Sequence, residues 1–147
     1  MDYRELVFYQ KARQVVRGIN DEIRTWPKGF QAQEISRQLF RAATSIGANI
    51  AEGHGRHKGQ EYIHFLIIAQ GSANEVDHWL NTALDCKIGD LENIKKILTI
   101  NTEIRKMLST AIFSLRSQAS KAVHETPAPY SPSPLHEDDI DQGQEIL

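Results

Sequence analysis

Four stretches of the chain place apolar residues at the three- and four-residue spacing of an amphipathic α-helix, and none alternates convincingly as a strand would. The first stripe is closed by Pro27 and comprises Tyr9, Ala12, Val16, Ile19, Ile23 and Trp26. The predicted helices span about residues 4–26, 33–53, 59–86 and 91–122. We expect Gly53 and Gly55 to cap the second helix and Asp90 to cap the fourth.

Short connections between four such helices predict an all-α fold. The expected architecture is an antiparallel up-down-up-down four-helix bundle with left-handed, coiled-coil-like packing. A length of 147 residues favours one domain, and we assign residues 1–124 to the bundle. Residues 125–147 are proline-rich and acidic, with too few apolar groups to offset the entropy of ordering. That tail is therefore expected to be disordered.

The predicted helices carry more apolar surface than one bundle can bury. The third helix is apolar almost all round near residues 63–69, and the fourth has a second apolar seam beside its first. An apolar stripe that one bundle leaves uncovered usually packs against another subunit. We therefore expect a homo-oligomer, with the candidate interface residues Phe40, Ala48, Glu52, Ile63, Ile67, Ile97, Ile100 and Ile104.

Charge divides the chain into a basic body and an acidic tail. All 17 Lys and Arg lie before residue 125 together with 13 acids, a net charge of +4, whereas the tail holds six acids and no Lys or Arg. A basic body indicates an anionic partner such as RNA or DNA. The tail is interpreted either as an acidic arm that competes with anionic ligands for this body, or as a solvating terminus without a specific role.

The candidate nucleic-acid-binding residues lie on the second helix and just after it: Arg37, Arg41, Arg56, His57 and Lys58. Arg37 and Arg41 share the face opposite the apolar stripe. Three interpretations of that face stay open. It is a solvated surface, a phosphate site, or a subunit contact in which the small side chain of Ala48 lets a helix of a neighbouring subunit approach closely. The glycine-rich segment 53–59 precedes the third helix, whose N-terminal amides favour anions.

Catalytic and metal chemistry is not expected. Two Glu-x-x-His steps, at residues 61–64 and 75–78, lie about 21 Å apart on one helix, whereas a di-iron bundle takes such steps from two helices. No P-loop or nucleophile-elbow motif is present, and no cofactor is expected. The lone Cys86, the absence of a signal peptide and the absence of a membrane-spanning apolar run predict a cytoplasmic protein.

One long motif resembles a known family. The run Arg41-Ala-Ala-Thr-Ser-Ile-Gly-Ala-Asn-Ile-Ala-Glu-Gly-His-Gly-Arg56, the segment Glu61 to Ser72 and then Glu75 resemble four-helix-bundle proteins encoded within intervening sequences of bacterial 23S rRNA genes. Trp26-Pro27 is similar to the aromatic-proline step that closes the first helix in that family. The resemblance covers about residues 4–120, and Gly47 stands where the commoner pattern has proline.

The resemblance implies a homopentameric ring without enzymatic activity. It also implies similarity to the accessory proteins of diversity-generating retroelements, which are basic pentamers that bind nucleic acid and a reverse transcriptase. The expected function is a non-enzymatic oligomer that binds structured RNA or an RNA–protein complex through basic loop and surface residues. The alternative is a protein–protein scaffold, or an accessory subunit to a partner such as a reverse transcriptase, without direct contact to nucleic acid.

Overall fold

The computed structural model describes residues 1–56 and 59–124. It contains α1 (Val7–Arg24), α2 (Phe30–Arg56), α3 (Gly59–Asp85) and α4 (Leu91–His124), with a short 3₁₀ turn at Tyr3–Glu5. The described residues include no strand, so the all-α prediction is confirmed. None of these four helices is long and apolar enough to cross a bilayer. His57, Lys58 and the tail predicted to be disordered lie outside the described residues.

Within one chain each helix packs against two others: α2 packs against α1 and α3, and α4 packs against α3 and α1. The order of the contacts gives the helix directions. Arg41 pairs with Glu75, whereas Gly53, twelve residues further along α2, faces Tyr62 near the start of α3. The contacts between α1 and α4 follow the same opposite order: Lys11 contacts Glu103, whereas the later residue Glu22 contacts the earlier residue Asp90. Helices α2 and α3 therefore run in opposite directions, and so do α1 and α4.

The core is built from the inward stripe of each helix. Its largest fully buried apolar side chains are Val15, Ile19, Leu39, Ile46, Ile50, Leu66, Val76, Leu80, Ile94, Ile104 and Leu108. Asn101 is also fully buried, and its Nδ2 donates a hydrogen bond of 2.9 Å to the Ala73 carbonyl. Because a buried amide is stable only where it finds a partner, this bond favours one register of α4 against α3.

The second helix continues beyond its predicted end. Gly53 and Gly55 are helical rather than capping residues, so that part of the prediction is wrong. A Cβ at Gly53 would lie 2.7 Å from the Phe65 Cβ, which shows that glycine is required here by the close approach of α3. The prediction for Asp90 is confirmed, because its Oδ1 accepts a 2.9 Å hydrogen bond from the Asn93 amide at the start of α4.

The first helix buries a charged side chain that the periodicity did not single out. Its buried stripe runs through Ala12, Val15, Ile19 and Glu22, and Glu22 is only 2% exposed. The Glu22 carboxylate accepts hydrogen bonds from the Trp26 indole nitrogen at 3.1 Å and from the Asp90 amide at 2.7 Å. It therefore joins the end of α1 to the start of α4 and fixes the orientation of Trp26.

Candidate nucleic-acid interface

The outer surface of α1 carries a row of cations. Arg13, Arg17 and Arg24 are spaced by four and seven residues, which places them on one face of the helix, and Lys28 follows just after the helix ends. All four side chains belong to exposed residues. No carboxylate of the described residues lies within ion-pair distance of any of them. We call these four residues the α1 basic face.

Beside this face runs a groove between α1 and α2, with a volume of about 720 Å³. Arg24 and Lys28 of the α1 basic face line it, and Arg37 lines it from α2. Its apolar lining includes Ile23, Trp26 and Phe40, and Phe40 is 43% exposed. Cations beside exposed aromatic surface form the combination that holds a nucleic-acid backbone and stacks an unpaired base. We call this cleft the α1–α2 groove.

The arginines predicted from the sequence are paired with acids. Arg56 contacts Glu52 at 2.9 Å, Arg41 contacts Glu75 at 3.3 Å, and Arg37 contacts Glu34 at 3.7 Å. Of these, only Arg37 lines the α1–α2 groove, so the structure brings it together with the α1 basic face. Arg41 pairs across to α3, and Arg56 lies at the C-terminal end of α2. The candidates His57 and Lys58 lie outside the described residues.

The predicted glycine-rich loop is packed helix as far as Arg56. Here α2 meets α3 in what we call the α2–α3 junction: Gly53, His54, Arg56, Tyr62 and Phe65. The Arg56 guanidinium lies 5.9 Å from the Phe65 ring centre, and His54 Nε2 donates to the Met1 carbonyl at 2.8 Å. Burial raises the pKa of the Tyr62 phenol above its ordinary value of 10.0. The junction is therefore a packed joint between helices and does not form an open anion-binding loop.

The predicted interface residues separate into three groups by burial. Ile63, Ile97 and Ile104 are 3%, 5% and 0% exposed within a single chain, so they are core residues and their assignment to an interface is wrong. Ile100 is half-buried and packs against the core. The remaining candidates Phe40, Ala48, Glu52 and Ile67 are exposed. These four are the candidates that the bundle leaves accessible to a second subunit.

Several exposed apolar residues were not among the predicted interface residues, and Phe113 is one of them. Phe113 of α4 is 74% exposed. The Gln70 Nε2 donates to the Ser109 Oγ at 2.6 Å, and Ile67 and Phe113 lie one turn beyond these two residues in the same direction along the bundle. They therefore border one edge of α3 and α4. The sequence signal was the phenylalanine directly after the core residue Ile112, which places an apolar ring beside the buried stripe.

The α1 basic face was also missed, although its signal was present in the sequence. Arg13, Arg17 and Arg24 follow the helical repeat as clearly as Arg37 and Arg41 do. Counting arginines on faces could not show which of them lack a partner, because the acids that pair with Arg41 and Lys11 come from other helices. Among the described residues, no three His, Cys, Asp or Glu side chains are grouped so that they could hold a metal ion.

Comparison with known proteins identifies the family. The profile of the 23S rRNA-intervening sequence protein family matches residues 4–110. The chain belongs to this family. The family match includes α1, α2, α3 and most of α4, and therefore both the α1 basic face and the α2–α3 junction.

A solved structure supports the family assignment. It is the crystal structure of a protein with unknown function from the S23 ribosomal protein family of Bacteroides thetaiotaomicron VPI-5482. The two chains are 30% identical, and the similarity covers 72% of this chain and 98% of that one with a TM-score of 0.62. No curated protein matches the chain.

Proposed function

We propose that this member of the 23S rRNA-intervening sequence protein family is a non-enzymatic, cytoplasmic oligomer that binds structured RNA or an RNA–protein complex. The observation that carries the proposal is the α1 basic face, where four exposed cations have no acid partner among the described residues beside an aromatic-lined groove. Cations that are not neutralised by neighbouring carboxylates are the ones that can exchange counterions for phosphates.

The spacing of the face fits a polyanionic backbone better than a small ligand. Arg13 and Arg24 lie 11 residues apart on one helix, which corresponds to about 17 Å at 1.5 Å per residue. Contacts spread over that length recognise backbone position and shape, whereas base identity requires donors and acceptors aimed at base edges. We therefore propose binding that depends on RNA structure more than on sequence.

Assembly would multiply this surface. We propose a homo-oligomer in which the exposed edge at Ile67 and Phe113 contacts neighbouring copies and leaves the α1–α2 groove open. The proposed number of subunits, five, is what the resemblance to pentameric proteins implies. Each copy would present the same α1 basic face, and several weak phosphate contacts held in one assembly give a higher overall affinity.

The RNA proposal is tested by fluorescence anisotropy with a labelled RNA hairpin between 50 and 200 mM salt. The change is the triple variant Arg13→Gln, Arg17→Gln and Arg24→Gln. We expect the magnitude of the slope of log affinity against log salt to fall by roughly 2 to 3, since each lost phosphate contact removes about one unit or less.

The matched control is Arg41→Gln, Arg56→Gln and Arg105→Gln, which removes the same charge from residues that are already paired and do not line the α1–α2 groove. A smaller change in slope is expected for this control. Equal changes in both triples would show that only net charge matters. Failure of the unmodified protein to bind the hairpin at 50 mM salt would contradict the proposed RNA function.

The assembly proposal is tested by sedimentation equilibrium. Phe113→Glu and Ile67→Glu introduce charges at the exposed apolar edge, and we expect the mass to fall toward the 16.7 kDa of one chain. Phe30→Glu is the control, because Phe30 is 80% exposed at the start of α2, away from that edge. A single-chain mass for the unmodified protein at micromolar concentration would contradict the assembly.

A protein–protein scaffold is the second candidate, favoured by the exposed apolar edge at Ile67 and Phe113. In that case the partner is a protein, for example a reverse transcriptase as the resemblance implies, and the α1 basic face contributes solubility or partner steering. An intact oligomer that shows no RNA binding at low salt would favour this candidate over the first.

A further inference from the structure

We propose that the acidic tail of this chain, residues 137–141 in particular, docks onto the α1 basic face and the α1–α2 groove and competes there with nucleic acid. Its consequence for RNA rests on the proposed function, whereas the docking itself does not. The tail lies beyond residue 110, where the family match ends, so the inference concerns this chain rather than the family.

Charge complementarity supports the docking. The segment Glu137-Asp138-Asp139-Ile140-Asp141 has four carboxylates, and the tail contains no Lys or Arg to neutralise them. The α1 basic face has four cations without acid partners among the described residues. Unpaired opposite charges on one chain attract over roughly 8 to 10 Å at physiological salt, so a tethered tail meets the face repeatedly.

The chemistry of the groove matches the segment in a second respect. The α1–α2 groove combines the cations Arg24, Lys28 and Arg37 with the apolar side chains Ile23, Trp26 and Phe40. The segment likewise places an aliphatic residue, Ile140, between acids. An apolar side chain flanked by carboxylates fits a cleft that is lined by both apolar and cationic side chains.

The length of the chain allows contact with the arginines. Lys11 of α1 pairs with Glu103 of α4, and at 1.5 Å per residue His124 lies about 32 Å further along the bundle than that pair. Measured along the bundle axis at the same rise per residue, Arg13 and Arg17 lie about 35 to 40 Å from His124, and Arg24 lies about 51 Å from it.

The residues between His124 and the acidic segment match this distance. They number twelve, from Glu125 to His136, and include four prolines. A proline-rich chain of that length covers about 37 Å in the polyproline II conformation. The acids would therefore begin at the level of Arg13 and Arg17, and at up to about 3.5 Å per residue Asp141 reaches the level of Arg24.

The docking is tested on the full chain without RNA. A spin label is attached at Gln142→Cys in a Cys86→Ser background, and amide signals of the isotope-labelled protein are recorded at low salt. We expect signals of residues 13–24 to lose at least about half of their intensity relative to residues on the α3–α4 edge, and to recover at high salt because the attraction is screened. Equal intensity losses on both surfaces, or none, would overturn the proposal.

The matched control keeps the charge of the tail and changes its reach. A tail of identical composition, with Glu137–Asp141 moved next to His124 ahead of the prolines, places the acids within about 18 Å of the end of α4, too short to reach Arg13. The spin label directly after the acids in this variant should broaden the signals near Arg13 much less than the label in the original order does, and should leave those near Arg24 unaffected. If the signals of residues 13–24 were broadened to the same extent in both tail orders, the proposal that docking depends on the length of the linker would be overturned.

The consequence for RNA is measured separately. Glu137→Gln, Asp138→Asn, Asp139→Asn and Asp141→Asn together should tighten binding of the RNA hairpin by roughly 2- to 10-fold at low salt, since a tethered competitor acts at an effective concentration near millimolar. The moved-acid tail should tighten it similarly. If spin-label contacts are found but no variant binds RNA, the docking stands and the proposed RNA function fails. If RNA binds and the spin-label contacts are absent, only the docking fails.

Discussion

The α1–α2 groove and the α2–α3 junction contain the same kinds of side chain, yet they differ in what those side chains can do. At the junction Arg56 is held by Glu52 at 2.9 Å, and nearby on α2 Arg41 is held by Glu75 at 3.3 Å. In the groove Arg24 and Lys28 have no acid partner among the described residues and lie beside Trp26. Arginine content therefore does not distinguish a joint from a binding surface, whereas pairing does.

The two regions also differ in how closely their helices approach. At the junction an added Cβ on Gly53 would come within 2.7 Å of Phe65, so α2 and α3 pack there without a gap. Between α1 and α2 the chain leaves a cleft of about 720 Å³, and Glu22 holds the Trp26 side chain that lines it. Close packing makes the junction rigid, and the buried carboxylate maintains the shape of the groove.

The largest effect is expected from the glutamate behind the groove. Glu22→Ala leaves the buried Trp26 indole and the part-buried Asp90 amide without their acceptor, and we expect a loss of about 2 to 4 kcal/mol of unfolding free energy. Glu52→Ala, at the exposed pair of the junction, should cost under about 1 kcal/mol. Urea denaturation followed by circular dichroism measures both. Equal losses would remove the proposed role of Glu22.

The next effect distinguishes two glycines only two residues apart. Gly53→Ala should be less stable than Gly55→Ala by about 1 to 3 kcal/mol, because both gain helix propensity but only the first meets Phe65 and Tyr62. Nothing lies within 4 Å of a Cβ at Gly55. Thermal unfolding of the two variants provides the measurement. A Gly53→Ala variant as stable as Gly55→Ala would mean that the helices separate easily at the junction.

The smallest effect concerns the paired arginine on the α3 side of α2. A double-mutant cycle of Arg41→Ala and Glu75→Ala should give a coupling of about 0.2 to 1 kcal/mol, since the two side chains are 67% and 49% exposed. The coupling should shrink when salt is raised. Pairing Arg13→Ala with Glu75→Ala provides the reference, and we expect no coupling there. A coupling of equal size in both cycles would show that Arg41 and Glu75 do not interact specifically.

Local sequence patterns predicted the helices well and their ends less well. The turn at Asp90 was predictable because the signal, an acid that accepts from an amide three residues later, is local. The end of α2 was not, because a glycine pair usually signals a cap and here α3 requires Gly53 inside the helix. For the site, the sequence supplied the cations but assigned importance to Arg41, whose partner Glu75 becomes evident only in the fold, and to Arg56. The i,i+4 pair of Arg56 with Glu52 was not foreseen because α2 was predicted to end at residue 53.

The sequence by itself determined the four helices, the all-α class and the family, because helical periodicity and a contiguous motif are properties of neighbouring residues. It also determined the charge division between body and tail. Only the tertiary structure decided that Ile63, Ile97 and Ile104 are core and that Phe113 is exposed. It also decided which cations pair with acids of other helices, as Arg41 does with Glu75 and Lys11 with Glu103. The physical reason is that burial and ion pairing depend on groups far apart in the chain, which the sequence does not place next to one another.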